Sequence, residues 1–290
     1  MRHAVIIGSK GQLGTDLQPA LSGWKLTGLA HADLDVTDGE GARSVLGEIK
    51  PDVVINTSAY HKVDVCEDTP VESFAVNATG AYHLARLAAE LDFTLVHFST
   101  DYVFRGDGSV PCRETDPCHP ISVYGASKLA GEKLVAAYAP RHFIIRSTGL
   151  YGVAGASGKG GNFAETMIRL GKAGPVRVVD DQVMTPTATA DLAAAVADLL
   201  AREGTAKVPY GVYHITSGGQ CSWYFFARTI FELCGMSVEL TPITTAESGS
   251  KARRPAFSVL DHGKWMQAGF PELRPWREAL AEYLKAKGHL

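Results

Sequence analysis

The sequence predicts an α/β protein, a doubly wound parallel sheet followed by a small C-terminal α/β lobe. Three observations carry this expectation. Short, continuous apolar runs alternate with longer segments of helical spacing through the first half. A glycine-punctuated turn follows directly on the first of those runs. After Ser147 the texture changes, and a glycine-rich stretch opens a region of shorter elements. Strands that alternate with helices need crossover connections, and such connections build parallel sheets covered by helices on both faces.

Taken in order, His3–Gly8 ("HAVIIG") reads as a buried parallel strand closed by glycine. "GQLGTDLQPAL" opens a helix and "WKLTGLA" a weaker strand. "TDGEGARSVLGEIK" has helical spacing behind Thr37 as N-cap. Pro51–Asn56 ("PDVVIN") is a second buried strand, and "VESFAVNATGAYHLARLAAELD" one long helix. Phe93–Thr100 ("FTLVHFST") is a third strand, "SKLAGEKLVAAYA" a helix and His142–Ser147 ("HFIIRS") another strand. "GLYGVAGASGKGGN" reads as a mobile loop. Beyond it come a helix over Phe163–Gly171, a strand "VRVV", a helix near "ADLAAAVADLLA", a strand "GVYHIT" and a helix "WYFFARTIFELC". "ELTPITTAESGSKARRPAFS" looks irregular, and an amphipathic helix near Trp276–Lys285 closes the chain.

Bulk properties narrow the function. A chain of 290 residues with 46% hydrophobic content buries a sizeable core. The net charge of -3 carries no basic bias toward nucleic acid or membrane surfaces. Five scattered cysteines without a CxxC pair speak against a disulfide scaffold or a zinc ribbon and fit a reducing cytosol. No stretch approaches the ~20 apolar residues of a membrane span, and the N-terminal apolar run is too short for a signal segment. A soluble, cytoplasmic protein is expected.

Gly8-Ser-Lys-Gly11-Gln-Leu-Gly14 sits between a strand and a helix. Glycines there allow a tight turn and close approach of the backbone to a pyrophosphate, and the helix N-terminus offers unpaired N–H groups. This makes residues 1–147 mainly a dinucleotide-binding, Rossmann-like core. Residues 148–290 are then mainly a substrate-binding lobe, with some segments returning to the sheet and a cleft between the two. No acid stands directly after the second strand, where one would grip a ribose 2′-hydroxyl, only His31. That tilts the cofactor toward NADPH, with NADH as the alternative, and makes His31 and Lys10 candidate phosphate contacts. Tyr124 and Lys128 are one helical turn apart, so their heads can converge, and an ammonium nearby favours the phenolate. Ser99, Thr100 and Asp101 close a buried strand. A hydroxyl that holds a carbonyl oxygen, a tyrosine that protonates it and a lysine that tunes the tyrosine make a ketone-reduction site.

With "GSKGQLG", "PDVVINTSAYHKVD", "FAVNATGAYHLA", "HFSTDYVFRG", "YGASKLAGE", "RSTGLYG", "GNFAETMIRL", "DDQVMTPTATADLA", "GVYHIT", "SWYFFA" and "RRPAFSVLD" in this order, the chain resembles the extended short-chain dehydrogenase/reductases, and within them the dTDP-4-dehydrorhamnose reductases. The resemblance spans nearly the whole chain. It implies reduction of the C4 ketone of dTDP-4-dehydro-L-rhamnose, giving dTDP-L-rhamnose for cell-surface polysaccharide. Tyr124 is then the proton donor, Lys128 binds the nicotinamide ribose and depresses the Tyr124 pKa, and Thr100 orients the carbonyl. Asp101 and Tyr102 lie beside the sugar. Gly11, Gln12 and Leu13 face the pyrophosphate, Asp35 and Val36 lie near the adenine, and Ser58, Ala59 and Tyr60 line the cofactor after the third strand, with Gly8 and Lys10 also at the cofactor. Asn162 and Arg253 or Arg254 meet the substrate diphosphate.

Two departures stand out. Gly149 occupies a position where many members carry an aromatic, often tryptophan, that packs on the sugar. Some members dimerise through magnesium held by glutamates, where the nearest residues here are Asp16 and Asp191, so no metal is expected and the chain is a monomer or homodimer. Two alternatives keep the fold: another nucleotide-sugar reductase or epimerase, and a non-catalytic dinucleotide-binding regulatory subunit. The intact Thr100, Tyr124 and Lys128 set speaks against the second.

Overall fold

A computed structural model describes residues 1–155 and 161–290. The central sheet has six parallel strands: β1 (His3–Ile7), β2 (Lys25–Leu29), β3 (Val53–Asn56), β4 (Thr94–Thr100), β5 (His142–Ser147) and, from the second half, β10 (Gly211–His214). Their spatial order is β10-β5-β4-β3-β1-β2. The chain leaves β1 toward β2 and then returns to the other side of β1 for β3. Strand order therefore reverses between β1 and β3, and a crevice opens there at the carboxyl ends. The fold is the expected doubly wound α/β sheet.

The continuous apolar runs follow from burial on both faces, since successive side chains of a strand point opposite ways. Ala4, Ile6, Val53, Ile55, Val96 and Phe98 face one layer, with α1 (Gln12–Ala20) and α8 (Thr189–Ala201). Val5, Ile7, Val54, Leu95 and Ile144 face the other, with α2 (Gly39–Ile49), α5 (Gly80–Leu91) and α6 (Val123–Tyr138).

Several local expectations are corrected. Asp38, not Thr37, caps α2 by accepting the Gly41 N–H at 3.0 Å, because Thr37 is held by Asp35. The segment before Gly80 is not plain α-helix. Short helices α3 (Val63–Asp68) and α4 (Pro70–Phe74) lead into a π-helical turn over Ala75–Thr79, which runs on into α5. Helix α6 starts four residues earlier than expected, capped by the Ser122 hydroxyl. The expected glycine-rich loop over 149–162 holds an ordered strand, β6 (Leu150–Tyr151), and the helix cap Asn162, while its centre, 156–160, lies outside the described residues.

The lobe is built from α7 (Phe163–Ala173), β7 (Val176–Val179), β8 (Val183–Met184), β9 (Thr187–Ala188), β11 (Cys221–Ser222), α9 (Trp223–Leu233), β12 (Leu240–Ile243) and α11 (Trp276–Ala286). Helix α10 (Gly263–Gln267) instead puts Trp265 into the core of the sheet. Three two-stranded ladders, β6–β9, β8–β11 and β7–β12, replace a second large sheet. Strand β12 falls in the stretch expected to be irregular. Its Pro242 cannot donate to a ladder, which confines it to an edge. The lobe core gathers Tyr151, Met167, Phe226, Trp276 and Leu280. Among the described residues no helix is long and apolar enough to cross a membrane.

Candidate active site

The crevice at the strand ends and the inner surface of the lobe enclose one cavity of about 970 Å³. Its floor begins at the turn after β1. Gly8 takes φ +79°, and a Cβ on it would lie 2.6 Å from Thr57 Oγ1. A Cβ on Gly14 would lie 2.3 Å from the Gly8 carbonyl oxygen, so the first turn of α1 packs directly against the loop. Gly11 caps α1 without a side chain, and no acid occupies the first turn. The N–H groups at this end, and the partial positive charge they carry, therefore face the cavity uncompensated by the chain itself.

Three buried polar side-chain atoms on this cavity have no partner: Gln12 Oε1, Ser99 Oγ and Ser147 Oγ. Buried polar atoms are rarely left unsatisfied, so their clustering here marks a surface completed by a ligand. The donor loop, the close backbone approach and these three atoms fit a dinucleotide.

All twelve residues expected at the cofactor line the cavity: Gly8, Lys10, Gly11, Gln12, Leu13, Asp35, Val36, Ser58, Ala59, Tyr60, Tyr124 and Lys128. His31 joins Lys10 in the lining, next to Ala30. The Asp35 carboxylate is committed to the backbone N–H and hydroxyl of Thr37 at 2.9 and 2.8 Å, which hold its pKa below the usual value.

Thr100 closes β4 beside Ser147 of β5, and Tyr124 and Lys128 stand on the first two turns of α6. All three meet at the cavity. The Thr100 hydroxyl hydrogen-bonds the Tyr124 phenol and donates to Asp101 Oδ1 at 2.9 Å. Tyr102 packs edge-on against the Tyr124 ring, centroids 5.7 Å apart. Burial pushes the Tyr124 phenol above its ordinary value, and the Thr100 bond offsets this only in part. The Lys128 ammonium donates to the Phe98 carbonyl at 2.6 Å, and burial brings its pKa down to about 8 against the opposing pull of Glu132. Asp101 is buried and raised to about 6 by desolvation, although Ser258, Thr100 and Thr148 hydrogen-bond it.

A residue that pattern reading passed over is Asn77, in the π-turn. Its side chain accepts the Tyr60 N–H at 2.9 Å and donates to the Tyr60 carbonyl at 3.0 Å. It also donates to Ser127 Oγ at 3.0 Å, and that hydroxyl donates to the Tyr124 carbonyl at 2.8 Å. One amide thus ties the loop after β3 to the helix turn between Tyr124 and Lys128. The signal in the sequence was only an asparagine inside a helical run; the π-turn that aims it left none.

On the lobe side Asn162, Tyr102 and Asp101 line the cavity, but Arg253 and Arg254 do not. Asn162 caps α7 and donates to the Gly152 carbonyl and the Tyr283 hydroxyl, both at 3.0 Å. Arg253 is exposed, and Arg254 turns its guanidinium to Asp64 at 2.8 Å and to Tyr102. Gly149 lines the cavity with φ +58°, and a Cβ there would press on Met184 Sδ at 3.1 Å. Met184 furnishes this wall in place of a side chain at 149. Asp191 is paired with Arg274 at 2.8 Å, and Asp16 accepts from the Thr189 hydroxyl.

Residues 1–288 match the family model of the RmlD substrate binding domain. The chain belongs to the dTDP-4-dehydrorhamnose reductase family. A dTDP-4-dehydrorhamnose reductase of Streptomyces griseus is 40% identical over 97% of this chain and 93% of its own length. The spore coat polysaccharide biosynthesis protein SpsK of Bacillus subtilis is 39% identical over 99% of this chain and 98% of its own. A crystal structure of the family's Bacillus anthracis member in complex with NADP superposes with a TM-score of 0.92, at 36% identity, covering 99% of this chain and 100% of that one. Such full-length overlap brings both halves of the cavity within the family likeness.

Proposed function

We propose that the protein reduces the C4 ketone of dTDP-4-dehydro-L-rhamnose to dTDP-L-rhamnose with NADPH as reductant. The observation that carries this reading is the meeting of Thr100, Tyr124 and Lys128 with the glycine loop and the lobe at one cavity, in a chain of this family. Residues 1–147 mainly hold the cofactor and 148–290 mainly the substrate, although β10 and α8 return to the sheet.

Gly8, Gly11, Gln12 and Leu13 hold the pyrophosphate, Asp35 and Val36 flank the adenine, Ser58, Ala59 and Tyr60 line the rest of the cofactor, and Lys128 binds the nicotinamide ribose. Lys10 and His31 supply the basic rim that a 2′-phosphate needs, which supports NADPH over NADH. When bound, the nicotinamide supplies the hydride accepted by C4. Thr100 holds the carbonyl oxygen within reach of Tyr124. The Tyr124 phenol hands that oxygen its proton as negative charge develops on it, and solvent then reprotonates the phenolate. A phenol held above its ordinary value keeps this proton at neutral pH until the carbonyl calls for it. Lys128, fixed by the Phe98 carbonyl, lowers the cost of the phenolate left behind. Asp101 and Tyr102 border the sugar. Asn162 shapes the α7 end of the diphosphate site, and Arg254 reaches the diphosphate by exchanging Asp64 for a phosphate, with Arg253 as its neighbour on the rim. The protein works in the cytoplasm as a monomer or homodimer.

The test is a coupled assay in which dTDP-4-keto-6-deoxyglucose is epimerised in situ and the protein is added with NADPH or NADH. Loss of nicotinamide absorbance, faster with NADPH, and dTDP-L-rhamnose identified by mass and NMR are expected. No loss with either cofactor, in protein that binds NADPH, contradicts the reading. Retained NAD⁺ with interconversion of sugar epimers would point to an epimerase instead.

A further inference from the structure

Helix α6 carries Tyr124 as its second residue and Lys128 one turn further on. The first N–H groups of a helix have no partner within it, so whatever accepts them fixes where the first turn lies. The Ser122 hydroxyl accepts the Gly125 N–H at 3.2 Å, but no acid stands in the first turn of α6. The acid comes instead from α3, where Glu67 Oε1 accepts the Val123 N–H at 2.8 Å. A carboxylate there takes up a donor that α6 leaves free and complements the partial positive charge of the helix end. The same turn abuts the loop after β4, since a Cβ on Gly125 would lie 2.2 Å from the Tyr102 carbonyl oxygen. The backbone around Tyr124 is therefore held between Glu67 and Tyr102. Glu67 itself stands outside the cavity lining among the described residues.

Glu67 can place this turn only if α3 is itself fixed. Six residues, Val63–Asp68, are too few for a helix that is stable unaided, so its anchorage comes from outward contacts. Cys66 is fully buried beneath it. Asp64 accepts the Ala252 N–H at 2.9 Å and the Arg254 guanidinium at 2.8 Å. Asp68 pairs with Lys251. Three carboxylates of one short helix thus point two ways. Asp64 and Asp68 hold the segment 251–254 from the second half of the chain, and Glu67 holds the start of α6. The Ala252 N–H bond does not involve the Arg254 side chain, so α3 stays seated when that guanidinium turns to a phosphate.

We propose that Glu67 is a positioning residue for the reaction: through the Val123 N–H it sets the place of the Tyr124 phenol, without touching substrate or cofactor. This rests on the reading of Tyr124 as the proton donor. A phenol displaced by a fraction of an ångström leaves both ligands bound, so the loss falls on kcat and spares KM and NADPH affinity.

Steady-state kinetics of Glu67→Gln and Glu67→Asp test this, each variant made in the wild-type and in a Tyr124→Phe background, with NADPH affinity and thermal unfolding measured on the same preparations. Glu67→Gln keeps an acceptor oxygen at the same reach, and its kcat is expected within about threefold of wild type. Glu67→Asp keeps the charge but withdraws it by one methylene. Its kcat is expected to fall roughly ten- to a hundredfold, with KM and NADPH affinity within about twofold of wild type. In the Tyr124→Phe background the same Glu67→Asp change is expected to cost less than about twofold, because the group it positions is gone. Loss by the same factor in both backgrounds makes Glu67 a residue of the fold alone and overturns the proposal. So does wild-type kcat in Glu67→Asp, or a Glu67→Gln that falls as far as Glu67→Asp. Failure of the donor reading shows separately, as wild-type turnover in Tyr124→Phe before Glu67 is changed, and it overturns the proposal as well.

Discussion

The two halves of the cavity are made in different ways. The cofactor half consists of loops that leave adjacent strands of one continuous parallel sheet, and the register of that sheet sets their positions. The lobe half consists of helix N-terminal turns and three short ladders, two of them only two residues per strand. In the first half, groups far apart in sequence meet because backbone hydrogen bonds leave them no choice. Thr57 N–H, for example, bonds the Ile7 carbonyl at 3.0 Å. In the second half, position depends on side-chain packing, such as Phe226 between Phe163 and Trp276. The reacting groups sit on the half that tolerates least displacement.

The sharpest way to break this contrast is to perturb the sheet side alone. Gly14→Val puts side-chain atoms where the Gly8 carbonyl oxygen lies, since even a Cβ would approach it to 2.3 Å. NADPH affinity, measured by fluorescence titration, is expected to fall more than about a hundredfold as the glycine loop is displaced, with dTDP binding much less affected. Equal losses of both ligands would mean that the halves are one mechanical unit.

Asn77→Ala removes the link between the loop and α6. The Tyr60 N–H loses its partner and the Tyr60 carbonyl is left with the Cys66 thiol at 3.7 Å, and a buried unsatisfied group costs ~1–3 kcal/mol. Thermal or urea unfolding should show a loss of roughly 2–4 kcal/mol, with turnover down about tenfold and NADPH affinity reduced. A variant of wild-type stability and turnover would show that the amide positions nothing.

A smaller effect comes from Asp101, where the halves touch through Ser258. Its folded pKa is raised to about 6 by desolvation. The associated stability is fully present below the ordinary carboxylate value near ~4 and is lost as pH rises through about 6. Between pH 4 and 7 the wild type should therefore lose up to ~3 kcal/mol relative to Asp101→Asn, which does not titrate. Parallel stability curves for the two proteins would mean that Asp101 is ionised throughout.

This contrast also explains what could be read beforehand. The strands "HAVII", "VVIN" and "TLVHFST" were legible because burial on both faces leaves unbroken apolar runs, and the glycine loop because only glycine fits it. Every cofactor residue expected from the family likeness lines the cavity. Strands β6, β8, β9 and β11 left no trace, since two residues carry no periodicity. The π-turn at Asn77 was hidden inside ordinary helical spacing. Two charges in a row at Arg253 and Arg254 said nothing of the Asp64 that holds the second of them. Trp223 looked like one more apolar residue of an amphipathic helix, and only its place at the first turn of α9 turns it to the cavity.

The central claim is that Tyr124 delivers the proton at a site otherwise complete without its hydroxyl. Tyr124→Phe tests it most directly, with turnover on the dTDP-linked ketone and NADPH affinity measured on the same preparation. Turnover should fall by roughly two to four decades, while NADPH affinity stays within a few-fold of wild type. Near-wild-type turnover in Tyr124→Phe would contradict the claim and move the proton donor elsewhere.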